Sequence, residues 1–190
     1  MTTTSAPFGF RPTRSAHSGT GSEVPMEQLD NAWATGLAST IGTGCPIKLV
    51  TDGTITLMAA GDAAFYGVFS GCFYVDSSGR ERTSPLWVAS TAATQIRALF
   101  WRNPFMEFFA QASATLAQSS IGDTANHIAG TVNTLSGLSA DQFGTLTGGN
   151  ADFRVVGLAA LQDNAWGDTF PIVRCVPNRV NGILPNTSAV

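Results

Sequence analysis

The chain has 190 residues, of which 12% are charged and 44% hydrophobic, with a formal net charge of −3. Soluble domains usually carry about 25% charged residues, so the expected surface is small, neutral and hydroxylated, with little desolvation cost against another protein. Lys48 stands alone beside nine arginines, which leaves no basic stripe for nucleic acid, and every apolar run breaks before the ~20 residues of a membrane-spanning helix.

Residues 1–40 hold Pro7, Pro12, Pro25 and a Gly/Ser/Thr run at 18–22, with no sustained apolar period. They read as an extended N-terminal arm. Met1–Ser5 is polar and not the start of a leader peptide, which points to synthesis in a cytoplasm. In Ala6-Pro7-Phe8-Gly9-Phe10-Arg11-Pro12 two aromatics flank a glycine between prolines that favour extended backbone. Phe8 and Phe10, with Arg11 and Arg14, are the expected anchors of that arm on a neighbouring protein; the alternative is that both rings fold onto their own core.

Residues 41–180 read as one β-barrel or sandwich domain, and 181–190 as a polar tail. Pro46–Val50 and Ile55–Met58 flank Asp52-Gly53, a strong hairpin signal. Phe65–Val75 is a long apolar strand interrupted by Gly67 and Gly71, glycines that mark a bulge or a close backbone approach. Asp76–Gly79 is a tight turn, Arg80–Arg82 a solvated stretch, and Ala92–Phe100 and Phe105–Gln111 two further strands. In the last, Met106, Phe108 and Ala110 form the cleaner apolar face, and Phe108 is the expected core residue. Residues 112–150 are rich in Gly, Ser, Thr and Asn and read as long loops, with one short helical turn expected at Ser139–Phe143. Asp152–Leu161 and Thr169–Val176 then form a closing hairpin. The fold class is therefore mainly β: a compact antiparallel barrel or sandwich with an extended arm and long loops.

Candidate chemistry is sparse. His17 and His127 are the only histidines. His127 could use Asp123, four residues earlier, but no nucleophile motif accompanies them. Asp52, Asp62, Asp76 and Asp123 sit in turn contexts, where Asp bonds its own backbone. Asp163, Asn164 and Asp168 offer oxygens for Ca²⁺ but match no calcium loop, and a structured turn is the preferred reading. Cys45, Cys72 and Cys175 have no metal-ligand spacing and read as buried thiols. The glycine-rich stretches lack a phosphate-binding pattern. No catalytic group, cofactor or metal is expected. Of the tryptophans, Trp101 and Trp166 lie beside Asn near chain reversals and are the candidate interface or sugar-stacking aromatics.

Three stretches carry a resemblance: Ala6–Pro12; Gly61-Asp62 followed by Tyr66–Gly71; and Arg154–Leu158 with Asp163-Asn164 and Gly167. Together, in this order, they resemble a family of tailed-bacteriophage virion proteins, the structural, decoration or cement proteins of the head. Family members often carry His beside the second arginine, where this chain has Thr13-Arg14-Ser15. The resemblance implies a non-enzymatic protein on the capsid exterior that binds the major capsid protein and itself, as a homotrimer, and stabilises the shell. A carbohydrate-binding or tail/connector component of the virion is the alternative.

Overall fold

The computed structural model describes residues 4–13, 26–33, 37–62, 65–103, 106–149 and 151–178. The chain is mainly β, in antiparallel sheets packed as a sandwich. Its strands are β1 (Arg11–Pro12), β2 (Met26–Asp30), β3 (Ile41–Gly42), β4 (Pro46–Leu49), β5 (Ile55–Leu57), β6 (Phe65–Asp76) and β7 (Glu81–Ser84). They continue as β8 (Leu86–Trp87), β9 (Ala93–Trp101), β10 (Phe108–Gln111), β11 (Thr124–Ile128), β12 (Gln142–Leu146), β13 (Phe153–Leu158) and β14 (Ile172–Pro177). The first sheet runs β1-β10-β14-β13-β11-β12. The second runs β2-β9-β6-β4-β5 with β7 on the distal part of β6, and β3 pairs β8 in a separate ribbon.

The expected Asp52-Gly53 hairpin forms as β4–β5; the Asp76–Gly79 turn closes a second hairpin, β6–β7, so the stretch expected only to be solvated is corrected to the start of a paired edge strand. Asp52 Oδ1 accepts the Thr54 N–H and hydroxyl, closing the β4–β5 turn, and Asp76 Oδ1 accepts the Ser78 and Arg80 N–H groups between β6 and β7. The closing hairpin is β13–β14. Its connection is held by Asn164, whose amide donates to the Ala159 and Ile172 carbonyls and accepts the Ile172 N–H, doing with a side chain what a ladder would do with backbone. Asp168 accepts the Ala165 N–H in the same turn.

Two apolar clusters result. Phe108, Met106 and Ala110 lie in the first with Phe143, Phe153 and Val155. Trp33, Trp87, Phe69 and Phe100 organise the second, with Trp33 and Trp87 edge to face at 5.1 Å. Strand β6 feeds both: Phe65 and Val68 enter the first cluster, while Tyr66, Phe69 and Cys72 enter the second. Strict alternation could not do this. The register shifts between Ile47 and Lys48 on β4, and between Phe69 and Gly71 on β6, and each shift changes which side chains face which layer. At Gly67 a Cβ would lie 2.8 Å from the Trp101 carbonyl oxygen, so the strand passes there only because the side chain is missing.

Two expectations are corrected. Ser139–Phe143 is not a helical turn: Gln142 begins β12 and Phe143 is buried against β11, while a short 3-10 turn lies at Gln118–Ser120. Residues 112–150 likewise contain two strands, β11 and β12, rather than loops alone. The three cysteines are free and buried, as expected.

Residues 4–13 are extended but stitched into the sandwich. Gln111, itself buried, accepts the Ala6 N–H through Oε1 and donates to the Thr4 carbonyl. Phe10 N–H donates to Gly44 O at 2.9 Å, and Thr13 N–H to Glu107 O at 2.8 Å.

Candidate functional site

The expected arm contacts separate in the fold. Gly9 has φ +75° and its backbone lies close against that of Gly44, so the chain turns between the two aromatic rings. Phe8 stays half-exposed. Phe10 is wholly buried and stacks on Phe153, ring centroids 4.3 Å apart. The expectation that Phe10 anchors a neighbour is therefore corrected: its surface is already spent on the chain's own core. Arg14 lies outside the described residues, as does His17.

Arg11 has a different setting. On β1 it stands opposite Phe109 of β10, which stands opposite Arg174 of β14, which in turn stands opposite Gly157 of β13. Alternation along these strands sends Phe108, Val173, Cys175, Phe153 and Val155 inward, and leaves Phe109, Ile172, Arg174, Val176 and Arg154 on the outer face. Arg154 stands opposite Val176, one row from Arg174. Arg174 Nη1 donates to Glu107 Oε2 at 3.2 Å, and its guanidinium overlies the space that Gly157 leaves open. Neither Arg11 nor Arg154 has an ion-pair partner among the described residues. Partial burial alone lowers the Arg11 pKa from its ordinary value, the sign of a guanidinium short of water and of a counter-charge. Three arginines and one glutamate thus share a half-apolar sheet face on a chain whose net charge is negative.

Trp101 and Trp166 both pack against the first apolar cluster and keep only part of each ring in solvent. They flank the core rather than forming one platform.

The second notable site is buried. His127 on β11 points to Asp152, not to Asp123, which occupies an exposed turn. Its Nδ1 lies 2.9 Å from Asp152 Oδ2, its backbone N–H donates to the same oxygen, and its Nε2 lies 3.1 Å from the Met58 carbonyl oxygen. Gly61 N–H completes the shell of Asp152 at 3.1 Å. A carboxylate and a carbonyl only accept, so both ring nitrogens of His127 are placed to donate. No ring nitrogen is left to take a proton from a substrate. The pair instead ties β11 and the start of β13 to the 58–62 turn of the other sheet.

Beside it opens a cleft of about 390 Å³, with His127, Cys45 and Asp141 in its lining. Asp141 is buried. It accepts the Gly130 N–H at 2.6 Å, and Ser139 and Cys45 lie within hydrogen-bonding reach. Burial raises the Asp141 pKa despite these bonds, because a carboxylate out of water is disfavoured. Burial, reinforced by the Asp141 charge, pushes the Cys45 thiol up to about 12, so it stays protonated at neutral pH and is a poor nucleophile. Nearby, Asp62 is ion-paired to Lys48 at 2.6 Å. Sequence reading missed this group because its members, at 45, 127, 141 and 152, lie far apart in the chain; the one available signal was a histidine in an alternating Thr-Ala-Asn-His-Ile run.

Among the described residues no cluster of three or more metal-ligating side chains occurs, and no helix is long and apolar enough to cross a membrane. No family model, curated protein or solved structure matches the chain.

Proposed function

We propose that this chain is a bacteriophage capsid decoration (cement) protein that binds the outer surface of the major capsid shell as a homotrimer and stabilises it without catalysis. The observation that carries the reading is the outer face of the first sheet, where Phe109 lies between Arg11 and Arg174, Arg154 stands one row on, and Glu107 is paired with Arg174. An aromatic beside arginines, two of the three on this face without an ion-pair partner among the described residues, is the composition that protein interfaces favour. The low overall charge supports close packing of many copies, and the resemblance of Ala6–Pro12, Tyr66–Gly71 and Arg154–Leu158 to head decoration proteins supplies the shell as partner. Repetition over a symmetric lattice turns a modest face into firm attachment.

Deleting the N-terminal stretch would confound any test, because residues 4–13 are part of the fold. Point changes avoid this. The double variant Arg11→Glu, Arg154→Glu should keep its circular dichroism spectrum and lose at least about tenfold in co-sedimentation with undecorated shells, an effect that grows at low salt. Undiminished binding by a folded double variant would refute the role of this face.

A further inference from the structure

We propose that the cleft beside His127 is a binding site for an alkylammonium group, its ammonium on the Asp141 carboxylate and its carbon chain along Leu57, Met58 and Val132. The site is separate from the arginine-bearing face and does not depend on shell binding.

The charge balance around the cleft leads to this ligand. Three carboxylates, Asp62, Asp141 and Asp152, gather with two basic groups, Lys48 and His127. Lys48 is taken by Asp62, and His127 is bound directly to Asp152. Asp141 is hydrogen-bonded by neutral groups only, Gly130, Ser139 and Cys45, and feels His127 through space without a direct bond, although it is 3% exposed. A buried carboxylate without a directly bonded counter-ion is disfavoured by its loss of water, and a bound cation offsets that cost. It is also the acid in the cleft lining, which it shares with Thr131 and Thr134 and with the apolar Leu57, Met58 and Val132. Hydroxyls accept from an ammonium, and methylenes pack against Leu, Met and Val. At 390 Å³ the cleft lies near the lower end of ligand sites, which run from about 300 to 1,000 Å³, so it suits a short chain rather than a ring system. Raised as its pKa is, Asp141 would give up its proton more readily with an ammonium in place, which makes ligand uptake and proton release linked events.

The chemistry is shared by a free alkylamine and by a lysine side chain of another protein, and two probes tell them apart. The full chain is titrated at pH 7 with n-pentylammonium chloride and, separately, with a blocked Gly-Gly-Lys-Gly-Gly peptide, against NaCl at equal ionic strength. The amides of Gly130, Thr131 and Thr134 are followed by NMR. Saturable shifts with pentylammonium that weaken at least about tenfold in Asp141→Asn, and persist in Asp123→Asn, support the site; asparagine keeps the acceptor for Gly130 N–H, so the fold is retained. Shifts with the peptide as well assign the site to lysine side chains; shifts with pentylammonium alone assign it to free amines. No saturable shift with either probe, or equal binding by Asp141→Asn, overturns the proposal, whatever the outcome of the shell-binding test.

Discussion

Phe10 and Phe153 stack at 4.3 Å with their ring planes 18° from parallel, so a residue near the beginning of the chain completes a core built by its last hairpin. Phe65 meets the same Phe153 edge-on at 5.4 Å, which places Phe10 in a three-ring set rather than at a margin. Phe10→Ala should therefore lower stability by about 3–5 kcal/mol, measured by urea unfolding. Phe8→Ala, at a half-exposed ring on the other side of Gly9, should cost clearly less. Equal effects would mean that Phe10 is not a core residue.

Asp152 accepts three backbone or ring N–H groups in a fully buried position, and removing it strands all three. Asp152→Ala should destabilise by roughly 3–5 kcal/mol, the range for breaking a buried pair on one side. Asp152→Asn keeps an acceptor but loses the charge opposite His127, and should fall between the two. The ring nitrogens of His127, followed by ¹⁵N NMR, should both carry protons in the unmodified protein and lose that signature in Asp152→Ala.

Asp76 anchors the β6–β7 turn. The backbone N–H of Arg80, with further bonds from Arg82 and Ser78, holds its carboxyl down to about 2, against an ordinary 3.8. A depressed folded-state value means that the bonds contribute above 3.8 and are lost as pH falls through about 2. The carboxyl carbon of Asp76 should titrate with a midpoint near 2, and the β7 amides should lose exchange protection over the same window. A midpoint at the ordinary value would show the turn to be held by other means.

Asp141 has the opposite sign. Its folded-state pKa lies above 3.8, so its contribution to stability is full below 3.8 and is lost as pH rises through the raised value. Asp141→Asn should remove this dependence and, at neutral pH, unfold at higher urea concentration than the unmodified chain. Superimposable urea midpoints from pH 3 to 8 would contradict the burial argument.

How much of this was legible in the sequence depended on how local each signal was. Asp52-Gly53 and Asp76–Gly79 were readable because turn chemistry is complete within four residues. Phe108 was readable because alternation in Met106–Ala110 names its own inward face. Strands β11 and β12 were hidden: in Thr124–Ile128 and Gln142–Leu146 the few large apolar residues, Ile128, Phe143 and Leu146, sit among small and polar ones that resemble loop, and pairing with each other and with β13 makes them sheet. The partner of His127 was hidden for the same reason. Asp123 was near in sequence, whereas Asp152 becomes near only once β13 lies beside β11. Phe10 was ambiguous because the pattern Phe-Gly-Phe does not say which ring turns inward; Gly9 and its close approach to Gly44 decide it.

The row Arg11, Phe109, Arg174, Gly157 draws its four members from four separate stretches of chain, and Gln111 grips the first of those stretches from 105 residues away. No shortened or half-made chain can display it. The row is complete only when β1, β10, β14 and β13 are all paired, and pairings between stretches so distant in sequence form slowly. A partner that reads this row would thereby ignore unfinished copies and recruit only molecules that have completed folding, a form of quality control that needs no chaperone to enforce it.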